Sequence, residues 1–175
     1  MVRAIFPGTF DPIHNGHIDI ATRASGLFDE LVIGIYDSPP KTLLLDTAQR
    51  IRLAEKVLAH LPNVRVASYQ GLTVAFAREI GASVMVRGLR AISDFEFEFQ
   101  MALTNKTLAP DVEAVCLMTS LEYAYLSSTI LKEIAMLGGD ISGLTPLVVQ
   151  QALRERFPNA GQKGADVSPM IASRD

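Results

Sequence analysis

Short runs of apolar, largely β-branched residues recur along the chain and define its predicted architecture. They are "VRAIF" (2–6), "LVIGIY" (31–36), "VRVAS" (64–68), "SVMVR" (83–87) and "EAVCLM" (113–118). Several runs are almost continuously apolar, which is typical of parallel strands covered on both faces. The pattern therefore predicts five strands of a parallel sheet.

The segments between and after these runs carry apolar residues at helical spacing. They predict helices over 17–27, 46–61, 73–80, 93–109, 128–137 and 146–157. Phe and Glu alternate over 95–99, which alone suggests a strand, but the length of the segment and the following Met-Ala-Leu favour a helix. Capping residues support several of these boundaries. The candidate caps are Asp46 or Thr47, Ser93 or Asp94, Thr145 before Pro146, and Gly81 as a C-terminal stop.

Strand and helix alternate about five times, which predicts an α/β fold with a doubly wound five-stranded parallel sheet and additional C-terminal helices. We expect a single domain over 1–157 and a flexible tail over 158–175, where the periodicity ends. Such sheets bind ligands outside the carboxyl ends of their strands. The segments that follow the predicted strands contain Gly, Lys, Arg, Ser and Thr, which are suited to holding phosphate.

Composition excludes several classes of partner. The 175-residue chain has a formal net charge of −3, which argues against a broad nucleic-acid-binding surface. Because no apolar stretch approaches about 18 residues and the first residues lack a leader pattern, we expect a cytoplasmic protein with no membrane partner. The single cysteine, Cys116, suits a reducing compartment, and its apolar run predicts a buried, unreactive thiol.

Two histidines, His14 and His17, flank Gly16 in "PGTFDPIHNGHIDIA" and allow three interpretations. A zinc site usually needs three or four protein ligands, and only Asp11 and Asp19 lie nearby in sequence. A histidine at a helix start also often caps or packs. The third interpretation is phosphate binding, because the glycine clears the start of a helix whose N–H groups and dipole already favour an anion.

Three motifs then resemble one known family. "GTFDPIHNGH" resembles the (H/T)xGH signature of the nucleotidyltransferase superfamily, and "RGLRAISDFEFEFQMA" (87–102) and "YLSSTILKE" (125–133) resemble motifs of bacterial phosphopantetheine adenylyltransferases. The similarity runs colinearly over about 2–157. It implies a Rossmann-like nucleotidyltransferase fold and the penultimate step of coenzyme A synthesis. In that step ATP and 4′-phosphopantetheine give dephospho-coenzyme A and pyrophosphate, without a covalent intermediate.

The resemblance also implies the roles of individual residues. It implies that His17, Lys41 and Arg90 take part in catalysis. It implies ATP contacts from Thr9, Phe10, His17, Gly88, Leu89, Arg90, Glu98, Tyr123, Ala124, Tyr125, Leu126, Ser127, Ser128 and Thr129. It implies contacts with 4′-phosphopantetheine from Thr9, Lys41, Thr73 and Arg87. His14 occupies a position where relatives also carry Thr, so an assisting role is implied for it.

The family further implies Mg²⁺ with ATP but no protein cage for the metal, feedback by coenzyme A, and a homohexamer. Two departures from the family pattern stand out. Tyr123 replaces a common Trp, and "DSPPK" differs from the usual surroundings of Lys41. Two alternatives stay open: a sister enzyme, such as a nicotinate-nucleotide adenylyltransferase or a cytidylyltransferase, and a nucleotide-binding module without catalysis.

Overall fold

The computed structural model describes residues 1–40, 42–90 and 92–161. Within these residues the chain alternates strands and helices. The strands are β1 (Arg3–Gly8), β2 (Glu30–Tyr36), β3 (Val64–Tyr69), β4 (Val84–Leu89) and β5 (Glu113–Met118). The helices are α1 (Asn15–Ser25), α2 (Thr47–Leu58), α3 (Thr73–Glu79), α4 (Ile92–Leu108), α5 (Ser128–Met136) and α6 (Leu147–Arg156), with a 3₁₀ turn at Leu121–Tyr123. The predicted tail lies outside the described residues from 162 onward.

All five strands are parallel and form one sheet in the order β3-β2-β1-β4-β5, which confirms the predicted sheet. β1 pairs with β2 along its whole length, whereas its register with β4 consists of Ala4 opposite Val84 and Ile5 opposite Met85. The two central strands therefore separate towards their carboxyl ends. Strand order also reverses between them, so this gap is where an open α/β sheet binds ligands.

Side chains of β1 alternate between two apolar cores on opposite faces of the sheet. Ala4 and Phe6 belong to the larger core, to which α1, α2, α5 and α6 contribute, and Ile5 belongs to the smaller core beneath α3. Helices therefore cover both faces, as a doubly wound sheet requires. Among the described residues no helix is both long and apolar enough to cross a membrane.

The predicted helix boundaries hold to within a few residues, and two caps differ. The Asp46 carboxylate caps α2 by accepting from Gln49 N at 2.7 Å. α4 already begins at residue 92, so the predicted caps of 93 and 94 lie inside its first turn. Pro146, not Thr145, is the N-cap of α6, because the Thr145 hydroxyl instead donates to the Ile13 carbonyl at 3.1 Å.

The prediction of a buried Cys116 is wrong. Cys116 is exposed, because β5 is an edge strand and its outer side has no neighbouring strand among the described residues. The helix α4 beside it also exposes Phe95, Phe97 and Phe99, the second of these by 60%. Phe95 and Phe99, four residues apart, share one face of the helix and stack at a centroid distance of 5.8 Å, whereas Phe97 lies on another face. The helix thus exposes apolar rings on more than one face.

Candidate active site

A cavity of about 410 Å³ opens in the gap between the carboxyl ends of β1 and β4. The amino-terminal ends of α1 and α5 close it on one side, so two helix N-termini face the same space. Helix N-termini present free N–H groups and the positive end of the helix dipole, which attract anions. The cavity is lined by Phe6, Pro7, Gly8, Thr9, Phe10, His14, Gly16, His17, Ile20, Arg87, Gly88, Arg90, Thr119, Tyr123, Leu126, Ser127, Ser128 and Thr129.

The loop after β1 forms one wall and has a constrained backbone. Phe10 adopts a left-handed conformation with φ of 48°, which is uncommon for a residue with a bulky side chain. Its ring packs edge-on against Phe6 and His17, with centroid distances of 5.5 and 4.9 Å. A Cβ at Gly8 would lie 3.0 Å from this ring, so a larger residue there would push the ring away by a few tenths of an ångström. The loop thus fixes an aromatic surface beneath the histidine.

His14 and His17 stack on each other at the start of α1, with ring centroids 3.7 Å apart. His14 is the N-cap residue and is 4% exposed. Burial, and secondly the charge of Arg90, lower the pKa of His14 from 6.5 to about 3, so its ring is neutral at physiological pH. A Cβ at Gly16 would lie 3.1 Å from the His14 ring. The glycine of the motif therefore makes room for the stack.

The hydrogen bonding of His17 determines which ring nitrogen can donate. The backbone N–H of His14 donates to Nδ1 of His17 at 3.3 Å. Because an acceptor nitrogen carries no proton, the proton of a neutral His17 ring resides on Nε2. His17 lines the cavity, so its ring is a hydrogen-bond donor at the edge of that space.

Two arginines at the carboxyl end of β4, Arg87 within the strand and Arg90 directly after it, are each paired with a carboxylate of α4. Arg87 forms a bidentate ion pair with Glu98, with Nε–Oε2 and Nη2–Oε1 distances of 2.7 and 2.6 Å, and also donates to the Pro7 carbonyl at 3.0 Å. Arg90 pairs with Asp94 at 3.0 Å. Arg87 therefore bridges the gap between β4 and β1. Both guanidinium groups line the cavity, where they can meet an anionic ligand.

Three consecutive hydroxyl residues at the start of α5 complete the wall. The Ser127 hydroxyl caps the helix by accepting from Ile130 N at 3.1 Å, and the Ser128 hydroxyl donates to the Pro12 carbonyl at 2.9 Å. The first of these contacts is an ordinary cap, and the second joins α5 to the loop after β1. Ser128 and Thr129 occupy the first turn, so their backbone amides belong to the group that lacks intrahelical partners.

The structure brings eleven of the predicted site residues to the cavity. They are Thr9, Phe10, His17, Arg87, Gly88, Arg90, Tyr123, Leu126, Ser127, Ser128 and Thr129. Five others do not line it. Leu89 is buried in the core, Tyr125 is 62% exposed, Glu98 holds Arg87, Thr73 bonds the Tyr69 hydroxyl at 2.8 Å, and Ala124 lies in the loop after the 3₁₀ turn. Lys41 lies outside the described residues.

Sequence reasoning assigned no binding role to several residues that line the cavity. They are Phe6, Pro7, Gly8, Ile20 and Thr119. His14 and Gly16 also line the cavity, as expected from the assisting role implied for His14 and from the glycine that clears the start of the helix for an anion. Position gives a usable signal for some of the unassigned residues. Gly8 at the end of β1 and Thr119 directly after β5 belong to the segments that the rule on carboxyl ends of strands already indicated for phosphate binding, although neither residue was given an individual role.

A metal centre at the paired histidines has no support in the contacts of the neighbouring carboxylates. Asp11 accepts from two backbone amides and from Lys132, and Asp19 accepts from the amide and hydroxyl of Ser120. Among the described residues, no group of three or more His, Cys, Asp or Glu side chains is arranged to hold a metal ion. The site is instead rich in cations, hydroxyls and helix-terminal amides.

Comparison with known proteins gives consistent similarities. A family model described as cytidylyltransferase-like matches residues 5–134. A phosphopantetheine adenylyltransferase from Thermomicrobium roseum is 52% identical over 158 residues, covering 89% of this chain and 95% of that relative. Proteins of the same name from Roseiflexus sp. strain RS-1 and Chloroflexus aurantiacus are 49% and 51% identical, each match covering 90% of this chain and 98% of the relative.

A solved structure gives the likeness in three dimensions. It is assigned as a nicotinate-nucleotide adenylyltransferase from Vibrio parahaemolyticus and superposes with a TM-score of 0.68 at 22% identity, covering 87% of this chain and 99% of that one. At this identity the likeness concerns the fold alone. It confirms the predicted Rossmann-like nucleotidyltransferase architecture.

Proposed function

The chain belongs to the phosphopantetheine adenylyltransferase family, and we propose how its own residues transfer the adenylyl group of ATP to 4′-phosphopantetheine. The products are dephospho-coenzyme A and pyrophosphate, as in the coenzyme A biosynthesis of the family. The observation that carries the proposal is the single cavity in which His17, Arg87, Arg90 and the first turn of α5 face one another.

The reaction is an in-line substitution at phosphorus. An oxygen of the 4′-phosphate bonds to the α-phosphorus of ATP, and the bond from that phosphorus to the bridging oxygen of pyrophosphate breaks. The second pKa of a phosphate monoester is about 6, so the nucleophile is already ionised at neutral pH and needs no general base. The enzyme has to align the two phosphates and stabilise the charge that accumulates between them.

His17 is proposed to stabilise the α-phosphate. Its Nδ1 is engaged by the His14 amide, so the Nε2–H is the donor directed to a ligand. The ring is held between the His14 ring and Phe10, with centroid distances of 3.7 and 4.9 Å. A donor that is fixed before the substrate arrives needs no reorganisation during the reaction, which is the condition for electrostatic stabilisation of a transition state.

Arg90 is proposed to bind the ATP phosphates, with Ser128 and Thr129 contributing backbone amides from the start of α5, next to the Leu126 carbonyl to which Arg90 donates at 3.3 Å. In the free protein the Arg90 guanidinium is occupied by Asp94, so phosphate oxygens would take over those donors on binding. Thr9, in the loop after β1, is proposed to contact both reacting phosphates. Magnesium is proposed to arrive as MgATP, because Glu98, the carboxylate paired with Arg87, is already engaged.

The acceptor is proposed to enter from the side of Arg87, with Thr73 and Lys41 contributing as the family resemblance implies. Arg87 supports this because its guanidinium lies between Pro7 and Glu98 at the floor of the gap. Feedback by coenzyme A is proposed for the same cavity, since coenzyme A carries both the adenylyl group and the pantetheine arm. Glu98 is proposed to act through Arg87 rather than on the ribose.

Self-association is proposed from the apolar surface of α4, and a hexamer is the form that the family resemblance implies. Phe95, Phe97 and Phe99 are exposed together with Met101 and Leu103, and large apolar patches on a protein surface commonly mark contacts between chains. The cytoplasmic location stays a prediction from the sequence.

Release of pyrophosphate from MgATP with each candidate acceptor tests the proposed reaction. We expect turnover with 4′-phosphopantetheine and none with nicotinate mononucleotide. His17→Ala should lower kcat by about 10²–10³-fold, because one transition-state donor is lost, while the Kd for ATP changes by less than about threefold. His60→Ala, in the exposed turn that follows α2, is the matched control and should keep kcat.

The opposite outcomes are equally clear. Turnover with nicotinate mononucleotide but not with 4′-phosphopantetheine would show that the proposed acceptor is wrong. ATP binding without turnover would indicate a nucleotide-binding module. An equal loss in kcat for His17→Ala and His60→Ala would show that His17 has no specific role in the reaction.

A further inference from the structure

Asp11, in the loop after β1, is a buried carboxylate that the proposed chemistry does not use. It is 1% exposed. Its Oδ2 accepts from the Leu44 amide at 3.0 Å and from Lys132 Nζ at 2.8 Å, and its Oδ1 accepts from the Leu45 amide at 2.9 Å. All three partners are donors, so the site requires an acceptor-only group and an ionised carboxylate satisfies it.

These contacts fasten the loop to the connection between β2 and α2. Leu44 and Leu45 lie directly before Asp46, the cap of α2. From the same helix, the buried Arg50 donates to the Thr9 carbonyl at 2.9 Å. The entry of α2 therefore holds the chain on both sides of Phe10, through the carbonyl before it and the carboxylate after it.

The residue between these two anchors is the one with the unusual backbone. Phe10 has a φ of 48°, a conformation that persists in a bulky residue when its surroundings determine it from several directions. The Phe10 ring packs on His17 at a centroid distance of 4.9 Å. A continuous set of contacts thus leads from the Asp11 carboxylate through Phe10 to the imidazole.

We propose that Asp11 is a positioning residue for the adenylyl transfer: its hydrogen bonds to the amides of Leu44 and Leu45 hold Phe10 in the conformation that orients His17. The proposal rests on the role proposed above for His17. The ion pair between Asp11 and Lys132 stabilises the fold but is not the part that orients the imidazole.

Two variants separate the effect of the tether, the pair of hydrogen bonds from the Leu44 and Leu45 amides to Asp11, from the effect of the ion pair with Lys132. Asp11→Asn and Lys132→Met both remove the ion pair, but only Asp11→Asn changes the group that accepts from the two amides. We expect Asp11→Asn to lower kcat by about 10- to 100-fold, as a small misplacement of reacting groups does, with KM for ATP changed less than about threefold. Lys132→Met should lose a similar amount of thermal stability yet keep kcat within about threefold. Equal loss of kcat in both variants would overturn the proposal.

A double-mutant cycle tests whether Asp11 acts through His17. In a His17→Ala background, Asp11→Asn should lower kcat by less than about threefold, because the group that it positions is absent. Full additivity of the two losses would contradict the inference. If Asp11→Asn alone folds poorly because Lys132 is left unpaired, Asp11→Asn combined with Lys132→Met removes that charge and should still show the kcat loss of Asp11→Asn.

Hydrogen exchange gives a readout that does not depend on turnover. The amides of Leu44 and Leu45 should exchange faster in Asp11→Asn and at the wild-type rate in Lys132→Met. Unchanged exchange in Asp11→Asn would refute the tether even in a protein that proved inactive with 4′-phosphopantetheine. Absence of turnover in the wild type, with the tether confirmed, would instead count against the proposed reaction.

Discussion

Acidification should destabilise the folded protein because His14 is buried as a neutral ring and cannot easily accept a proton. The ring is 4% exposed, its Nδ1 has no hydrogen-bond partner among the described residues, and its pKa is lowered from 6.5 to about 3. Below pH 6.5 His14 therefore becomes protonated in the unfolded chain but stays neutral in the folded chain. The stability that neutral His14 contributes is complete above pH 6.5 and is lost as the pH falls towards 3.

The size of the effect follows from proton linkage. One proton that binds only to the unfolded state lowers the free energy of unfolding by about 1.4 kcal/mol per pH unit. At pH 6.5 the ring is already half protonated in the unfolded chain. From there to pH 4.5, protonation of His14 should therefore lower the free energy of unfolding by about 2 kcal/mol. Carboxylates also titrate in this range, so the His14 contribution has to be isolated by a variant.

Urea unfolding of the wild type and of His14→Thr, at one fixed protein concentration, provides the measurement. Thr is the alternative to His at this position in the (H/T)xGH motif that the chain resembles. The difference in unfolding free energy between the two proteins should shrink by about 2 kcal/mol from pH 6.5 to 4.5, because only the wild type loses the His14 contribution. A difference that stays constant over this range would show that the buried ring accepts a proton freely, and the reasoning would be wrong.

Three further predictions address other parts of the molecule. Gly16→Ala places a methyl group 3.1 Å from the His14 ring, so kcat measured by pyrophosphate release should fall about tenfold. Asp19→Asn weakens the hydrogen bonds to Ser120 that hold the 3₁₀ turn, so calorimetry should show ATP binding weakened by about tenfold with kcat retained. Phe97→Glu adds charge to the exposed face of α4, and sedimentation velocity should show smaller assemblies than the wild type; an unchanged profile would exclude that face.

The sequence predicted the order and position of the elements well because hydrophobic periodicity reports burial directly. The alternation of Phe and Glu in α4 was the difficult segment, and its length gave the right answer. The exposure of Cys116 could not be read in the same way, because whether a strand lies at an edge depends on strand order. An apolar run looks the same in a central strand and in β5.

The candidate site was predicted where a motif fixes the position of a residue and less well where side-chain direction decides. Gly88 lines the cavity and the next residue, Leu89, points into the core, as alternation along a strand requires. Glu98 contacts Arg87 only because of the way α4 is positioned and rotated against β4, which the sequence does not show. Asp11 looked like a metal-ligand candidate in the sequence, and only tertiary structure reveals its three donors.

The position of β5 at the edge of the sheet provides a single site for attaching a fluorescent dye. Cys116 is the single thiol of the chain and is exposed, so a maleimide dye would attach at one defined place per chain. Partial burial and, secondly, Glu98 raise the pKa of this thiol, which slows its modification at neutral pH. The rate of dye attachment would therefore follow access to the outer side of the sheet. Energy transfer between dyes on separate chains would then measure how those chains approach one another.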